Sequence, residues 1–194
     1  MPDTPVIYVV VLSYLLGSIP FGLVLTKLAG LGDIRQIGSG NIGATNVLRT
    51  GKKGLAALTL LLDGLKGSAA VFITHCVYPE YAAIAGLAAM LGHLFPIWLT
   101  FKGGKGVATA IGVITALSWP VGVAAMLIWI LVAWLFDYSS LAALVSIGLT
   151  PIAFLMLDRS DLFELSVVIV FLVFWKHSAN IRRLLSGTET KIGK

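Results

Sequence analysis

The sequence predicts an all-α integral membrane protein of seven transmembrane helices, some short or broken, with its N-terminus outside and its C-terminus in the cytoplasm. Three observations carry this. Hydrophobic residues make up 58% of the 194 residues and charged residues only 12%, whereas soluble domains carry roughly 25% charge. The apolar residues gather into runs that approach or exceed the ~20 residues a helix needs to cross the hydrocarbon core. The basic residues fall between those runs, on one side of the implied membrane. A net charge of +5 therefore does not point to nucleic acid, which would ask for one basic soluble face. Residues 1–194 read as a single polytopic domain. The lone cysteine, Cys76, excludes an intrachain disulfide and any Cys/His metal cluster built around it.

The first run, residues 6–26, follows Met-Pro-Asp-Thr-Pro, which has no basic n-region and is followed by no small-x-small cleavage site. It reads as an uncleaved first span. Residues 55–77 and 81–101 form the second and third spans. The uncharged stretch 107–136 would be ~45 Å long as one helix, well beyond a ~30 Å core. Pro120 lies near its middle and lacks an amide hydrogen. Charge decides the division. With a break near Pro120, segments 27–54, 102–105, 137–140 and 176–194 share one side and hold every Lys and Arg except Lys66 and Arg159. The opposite side holds Asp3, Glu80, Asp158 and Asp161. One unbroken helix would instead send Lys176 and every later basic residue outside, against the positive-inside rule. The segment 107–118, ~18 Å as a helix, is expected to be short or partly re-entrant. Residues 141–157 and 162–175 complete the seven.

Three cytoplasmic segments carry chemistry. The first is Gly38-Ser-Gly-Asn-Ile-Gly-Ala-Thr-Asn46 with Arg49. Its glycines, Gly40 among them, allow positive φ and close approach to a ligand, and successive amides in such turns form anion-holding nests. Ser39, Asn41, Thr45 and Asn46 add neutral donors, and Arg49 offers a planar fork suited to phosphate. The Gly38-x-Gly40-x-x-Gly43 spacing matches the dinucleotide fingerprint, but no strand precedes it. The second segment is Phe101-Lys-Gly-Gly-Lys-Gly-Val-Ala-Thr109. Here Gly103, Gly104 and Gly106 let backbone amides and the Lys105 ammonium face one oxyanion at a helix N-terminus. It is not a Walker A loop, since Gly106 follows Lys105. A positive-inside anchor explains Lys102 as well as a binding role does. The third segment, residues 176–189, places His177 and Asn180 on one helical face. Arg182 and Arg183 read as a basic tail on anionic lipid.

Within the second span, Asp63 and Lys66 sit one turn apart, which fits either a structural ion pair or a functional group. His93 either packs against a neighbouring helix or reaches the site. No metal or cofactor is expected, and no carboxylate cluster suits a divalent cation.

Gly17-Ser-Ile-Pro-Phe-Gly22, the Gly38–Asn46 segment with Arg49, Leu62-Asp-x-x-Lys-Gly67, Gly92-His-x-x-Pro96, Lys102-Gly-Gly-Lys-Gly-Val-Ala-Thr109 and His177-x-x-Asn-Ile-x-Arg-Leu-x-x-Gly-x-Glu189 occur in that order. The ordered set, spanning residues 15–189, closely resembles the PlsY-type membrane glycerol-3-phosphate acyltransferases of bacteria. The resemblance implies transfer of a fatty acyl group from acyl-phosphate to the 1-hydroxyl of sn-glycerol-3-phosphate. The products would be lysophosphatidic acid and phosphate, at the first step of phospholipid synthesis. It implies a place in the bacterial cytoplasmic (inner) membrane with the active site facing the cytoplasm. Membrane lipid would surround it, and the soluble enzyme that makes acyl-phosphate is a plausible docking partner. By the same resemblance Ser39, Arg49, His177 and Asn180 are essential, the Gly103–Gly106 loop with Lys105 binds the glycerol phosphate, Ser140 lies near the substrates, and Glu189 is mainly structural. Positions 178 and 179 are Ser and Ala where relatives often carry Arg and Glu, and Asp137 stands where a basic residue is common. The general base is left open between His177 and the departing phosphate. The competing class is a small membrane transporter of an organic phosphate, against which no inverted repeat is visible.

Overall fold

The computed structural model describes residues 4–192. Asp3 and Lys194, both used in the charge argument, lie outside the described residues. Among those described, all regular structure is helical: α1 (Thr4–Gly17), α2 (Phe21–Leu28), α3 (Ala44–Leu48), α4 (Lys53–Val77), α5 (Ala82–Leu94), α6 (Val107–Leu117), α7 (Trp119–Phe136), α8 (Ser139–Gly148), α9 (Thr150–Met156), α10 (Ser160–Lys176) and α11 (Ser178–Leu185). Five stretches are long and apolar enough to cross a membrane: Pro5–Leu28, Lys53–Val77, Pro79–Leu99, Trp119–Phe136 and Ser139–Met156. A sixth is α10 taken with α11, which bend by 64° at His177. Large apolar side chains such as Leu12, Phe72, Trp134 and Phe171 stand exposed on the outer surface. Lipid satisfies such a surface where water does not.

Small residues hold the helices together, because lipid gives helices no hydrophobic reason to associate and close packing must supply it. A Cβ added at Gly17 in α1 would overlap the backbone of Ala89 in α5, and one at Gly112 in α6 would overlap that of Gly64 in α4. The interior between these helices is filled by Met90, Leu94, Val113, Ile114, Ile147 and Ile169.

Two breaks shape the site. The first run, read as one span over 6–26, is interrupted at 18–20. Pro20 cannot continue the α1 ladder. Trp98 Nε1 donates to the Ser18 carbonyl and hydroxyl at 3.0 and 2.8 Å. The Lys66 ammonium donates to the Ile19 carbonyl at 2.8 Å. The second break is at Ser118, where φ is −155° and ψ 96°, with Pro120 in the first turn of α7. A Cβ on Gly122 would overlap the Cα of Thr115, although seven residues of straight helix span ~10 Å. The stretch 107–136 is thus two helices, the second folded back on the first.

Candidate active site

The segment between α2 and α4 is organised by one buried side chain. The carboxamide nitrogen of Asn46 donates to the carbonyls of Ile34 at 2.7 Å, Ile37 at 3.2 Å and Asn41 at 2.8 Å. Its oxygen accepts from the Ser39 amide at 3.2 Å and from Arg49 Nη1 at 3.4 Å. Asn46 was expected to donate to an anion; instead its donors are spent folding the loop, which is why it is buried. Two more amides of this segment are likewise committed. Gly40 donates to the Ile37 carbonyl at 3.0 Å and Ile42 to the Asn41 side chain at 3.0 Å. Gly38 has φ +54°, and a Cβ there would press on the Arg49 side chain, so the missing side chain gives the guanidinium its place. Arg49 Nη2 donates to Thr190 Oγ1 at 2.8 Å. Thr45 Oγ1 lies 3.0 Å from Ser139 Oγ.

The glycine-rich turn after α5 is also tied back. The amides of Gly103 and Gly104 donate to the carbonyls of Leu94 and His93 at 3.2 and 3.1 Å. They cap α5 and do not face the cavity, contrary to the expectation that they meet an oxyanion. What the turn does present is Lys105, whose ammonium donates to Asn180 Oδ1 at 2.6 Å. Gly106 follows with φ 82° as the N-cap of α6, so the positive end of that helix lies beside Lys105.

The third element is the bend after α10. His177 Nδ1 lies 2.8 Å from the Val173 carbonyl. A carbonyl only accepts, so Nδ1 carries the proton and Nε2 keeps its lone pair. One turn on, Asn180 Nδ2 donates to Glu189 Oε1 at 2.6 Å. Glu189 is the hub of the site, accepting also from Ser140 Oγ at 2.8 Å and from Arg183 Nε at 2.6 Å. Arg183 therefore faces the protein as well as the tail's surroundings. The chain end is drawn across the site, with the Ile192 amide on the Asp137 carbonyl at 2.8 Å and Lys191 paired with Asp137 at 3.1 Å.

Burial sets the charge states. It lowers Lys105 to about 8, with Glu189 working to raise it and Arg183 and Arg49 to lower it further. It lowers His177 to about 4, opposed by the bond to Val173 and reinforced by Lys105. Burial works to raise Glu189, but hydrogen bonds from Asn180, Ser140 and Arg183 outweigh it and hold the carboxyl below its ordinary range. At neutral pH the site has an ammonium, a neutral imidazole with a free acceptor nitrogen, and an ionised carboxylate.

These groups share one cavity of about 520 Å³. Ser39, Asn41, Thr45, Asn46, Arg49, Asp63, His93, Lys105, Gly106, Ser140, His177, Asn180 and Glu189 line it. Gly40, Lys102, Gly103, Gly104 and Lys66 do not contribute to that lining. Lys66 pairs with Asp63 at 2.8 Å, both side chains buried. Away from the polar groups the cavity is walled by apolar residues of α4, α6 and α7, including Leu61, Ala108, Ile111 and Trp129. Ser68 and Thr115, on the inner faces of α4 and α6, and Ser139 and Thr190 also line the cavity without having stood out in the sequence. No local motif marks Ser139 or Thr190, because these two reach the cavity through chain returns.

Fold and site define a polytopic helical membrane protein in which a polar pocket holding Arg49 and Lys105 is continuous with an apolar channel. The glycerol-3-phosphate acyltransferase family model matches residues 7–187. The chain is 62% identical over 187 residues to a glycerol-3-phosphate acyltransferase of Mesorhizobium japonicum, covering 96% of each protein. It is 55% identical over 196 residues to one of Ruegeria pomeroyi, covering 99% of this chain and 97% of that one. The crystal structure of PlsY (YgiH), an integral membrane glycerol 3-phosphate acyltransferase, in its glycerol 3-phosphate form superposes with a TM-score of 0.92 at 38% identity, covering 97% of this chain and 96% of that one. Its lysophosphatidic acid form gives 0.90 at 37% identity, covering 96% and 95%. The chain belongs to the glycerol-3-phosphate acyltransferase family.

Proposed function

We propose that this protein transfers a fatty acyl group from acyl-phosphate to the 1-hydroxyl of sn-glycerol-3-phosphate, releasing lysophosphatidic acid and inorganic phosphate. The observation that carries this reading is the continuity of one cavity, with Arg49, Lys105, His177 and Asn180 at one end and an apolar channel between α4, α6 and α7 at the other. Two phosphates and one acyl chain need that combination.

The glycerol hydroxyl attacks the acyl carbonyl carbon, the bond from that carbon to the phosphate oxygen breaks, and the hydroxyl proton leaves with the phosphate. No covalent enzyme intermediate is required, since acyl-phosphate is a mixed anhydride with a good leaving group. Lys105 and Arg49 hold phosphate, and Ser39 and Asn180 support the developing oxyanion or the nucleophile. Thr45, Asn41 and Ser140 complete the polar wall. His177 accepts on Nε2 from the substrate's other hydroxyl and so orients the glycerol. Its imidazole, held at about 4, is a weaker proton acceptor than a phosphate dianion with a second pKa of about 6. The departing phosphate therefore takes the proton, and the enzyme contributes positioning and charge stabilisation.

The short helix α6, ~16 Å long, counts as a seventh crossing supported by α4 and α7. The N-terminus is then periplasmic, and the site opens at the cytoplasmic face of the inner membrane. The exposed cytoplasmic loops leave room for the soluble enzyme that supplies acyl-phosphate to dock. Purified protein supplied with glycerol-3-phosphate and, in parallel, acyl-phosphate, acyl-CoA or acyl-carrier protein tests the reading. Lysophosphatidic acid should form with acyl-phosphate alone; formation only with a thioester donor would overturn the donor assignment.

A further inference from the structure

One buried group in the spans has no explanation in the chemistry above. His93, in the last turn of α5, is almost wholly buried. Among the described residues its Nδ1 has no hydrogen-bond partner. Buried polar atoms are rarely left so, and an apolar residue would fill a helix interface at lower cost.

The contacts around the ring supply a reason. Gly104 lies directly against the imidazole edge. A Cβ at position 104 would overlap Nε2 and come within 2.8 Å of Cε1 and 3.1 Å of Cδ2. The same turn is bonded to the backbone of this residue and the next, through the Gly103 and Gly104 amides. Lys105 is the next residue in the chain, and its ammonium meets Asn180 at 2.6 Å. Behind the ring, Asp63 Oδ1 stands 3.7 Å from Nδ1 and is ion-paired to Lys66 at 2.8 Å. That pair is anchored in turn. Lys66 donates to the Ile19 carbonyl at the α1–α2 break, and Thr109 of α6 donates to the Asp63 carbonyl at 2.9 Å. The imidazole is a flat, rigid post between the glycine turn and a buried ion pair of α4 that also ties the α1–α2 break and the first turn of α6.

We propose that His93, backed by the Asp63–Lys66 pair, is a positioning residue that sets where the Lys105 ammonium stands and thereby the affinity for glycerol-3-phosphate. It acts through the Gly103–Gly104 turn, which bears on the ring from one side while the ion pair limits its retreat on the other. Glycine at 104 is then a size requirement imposed by the ring. A larger residue there displaces Lys105, and a smaller residue at 93 lets the turn sag.

The proposal rests on Lys105 holding the glycerol phosphate, and a size-exchange cycle tests it separately from that reading. Gly104→Ala and His93→Ala are each expected to raise KM for glycerol-3-phosphate by about 10-fold while KM for acyl-phosphate changes less than about 2-fold. The double variant gives the added methyl the space left by the imidazole. Its KM should lie well below the ~100-fold product of the singles, since contacting residues do not act additively. Effects that multiply, or a His93→Ala enzyme with wild-type KM, would overturn the proposal. KM does not depend on how much protein survives, so membranes with low yield serve equally. Where His93→Ala gives no protein, His93→Gln takes its place. The flexible amide yields to the methyl, so its pair with Gly104→Ala also falls short of the product, and a multiplicative result again overturns the proposal. Wild-type protein inactive with acyl-phosphate would instead end the functional reading itself.

Discussion

Replacing Lys105 with methionine removes the ammonium and keeps the unbranched stem that packs in the cavity wall. The structure sets the expected magnitude. The ammonium is within 2.6 Å of Asn180 Oδ1, in a site where burial strengthens charged contacts. A hydrogen bond to a charged partner contributes about 1.5–3 kcal/mol, and each 1.4 kcal/mol is a factor of about ten. Losing one such bond to the substrate phosphate should raise KM for glycerol-3-phosphate roughly 10- to 150-fold. Relief of the buried ammonium's desolvation pulls the result toward the lower figure. With the acyl chain seated in the apolar channel as proposed, much of the acyl-phosphate affinity would come from there, and its KM should change less than about 3-fold. Phosphate release measured while each substrate is varied in turn reads both constants. The same group predicts a pH limb. With Lys105 held at about 8, its charge is present below that pH and lost above it, so kcat/KM for glycerol-3-phosphate should fall as pH rises through about 8 and the limb should vanish in the methionine variant. A larger effect on acyl-phosphate than on glycerol-3-phosphate would refute the assignment of Lys105.

His177→Gln keeps an acceptor near the Nε2 position. If the phosphate takes the proton, kcat should fall less than about 10-fold, whereas loss of a true general base costs about 10²–10⁴-fold. His177 also predicts acid sensitivity. Its folded-state pKa of about 4 lies below the ordinary 6.5, so the unfolded chain binds the extra proton first, and the unfolding midpoint in detergent should drop as pH is lowered from about 6.5 to about 4. Ala108→Phe narrows the apolar channel and should penalise long acyl donors over short ones by about 10-fold in kcat/KM; equal loss for both lengths would place the acyl chain elsewhere. Cys76, exposed in the last turn of α4, should react with a membrane-impermeant thiol reagent added from the periplasmic side, and labelling only from the cytoplasm would invert the topology.

Hydropathy made the long helices legible because a span answers mainly to apolar length. Pro120 and the placement of the basic residues together revealed that 107–136 turns back, although each alone is ambiguous. The break at Ser18–Pro20 was hidden inside a run of sufficient length. Its stabilisers come from elsewhere in the chain, Lys66 from α4 and Trp98 from the turn after α5. The candidate site was legible as a set of residue types, since anion chemistry restricts those types, and one cavity gathers most of them. The division of labour within it was not. Asn46 and the Gly103–Gly104 amides look like ligand donors in the sequence, yet they spend their hydrogens on nearby carbonyls. Every buried backbone carbonyl competes for such donors, and only the fold decides which wins. Glu189 and Thr190 reach the cavity because the chain end returns across it, a route no local pattern encodes.

Direct transfer as proposed needs one cavity to hold both phosphates beside the acyl chain, and inorganic phosphate released from acyl-phosphate by the purified protein reports on it. Release should occur only when glycerol-3-phosphate is present, matched one for one by lysophosphatidic acid. Release at the same rate without glycerol-3-phosphate, or no release with both substrates present, would rule direct transfer out.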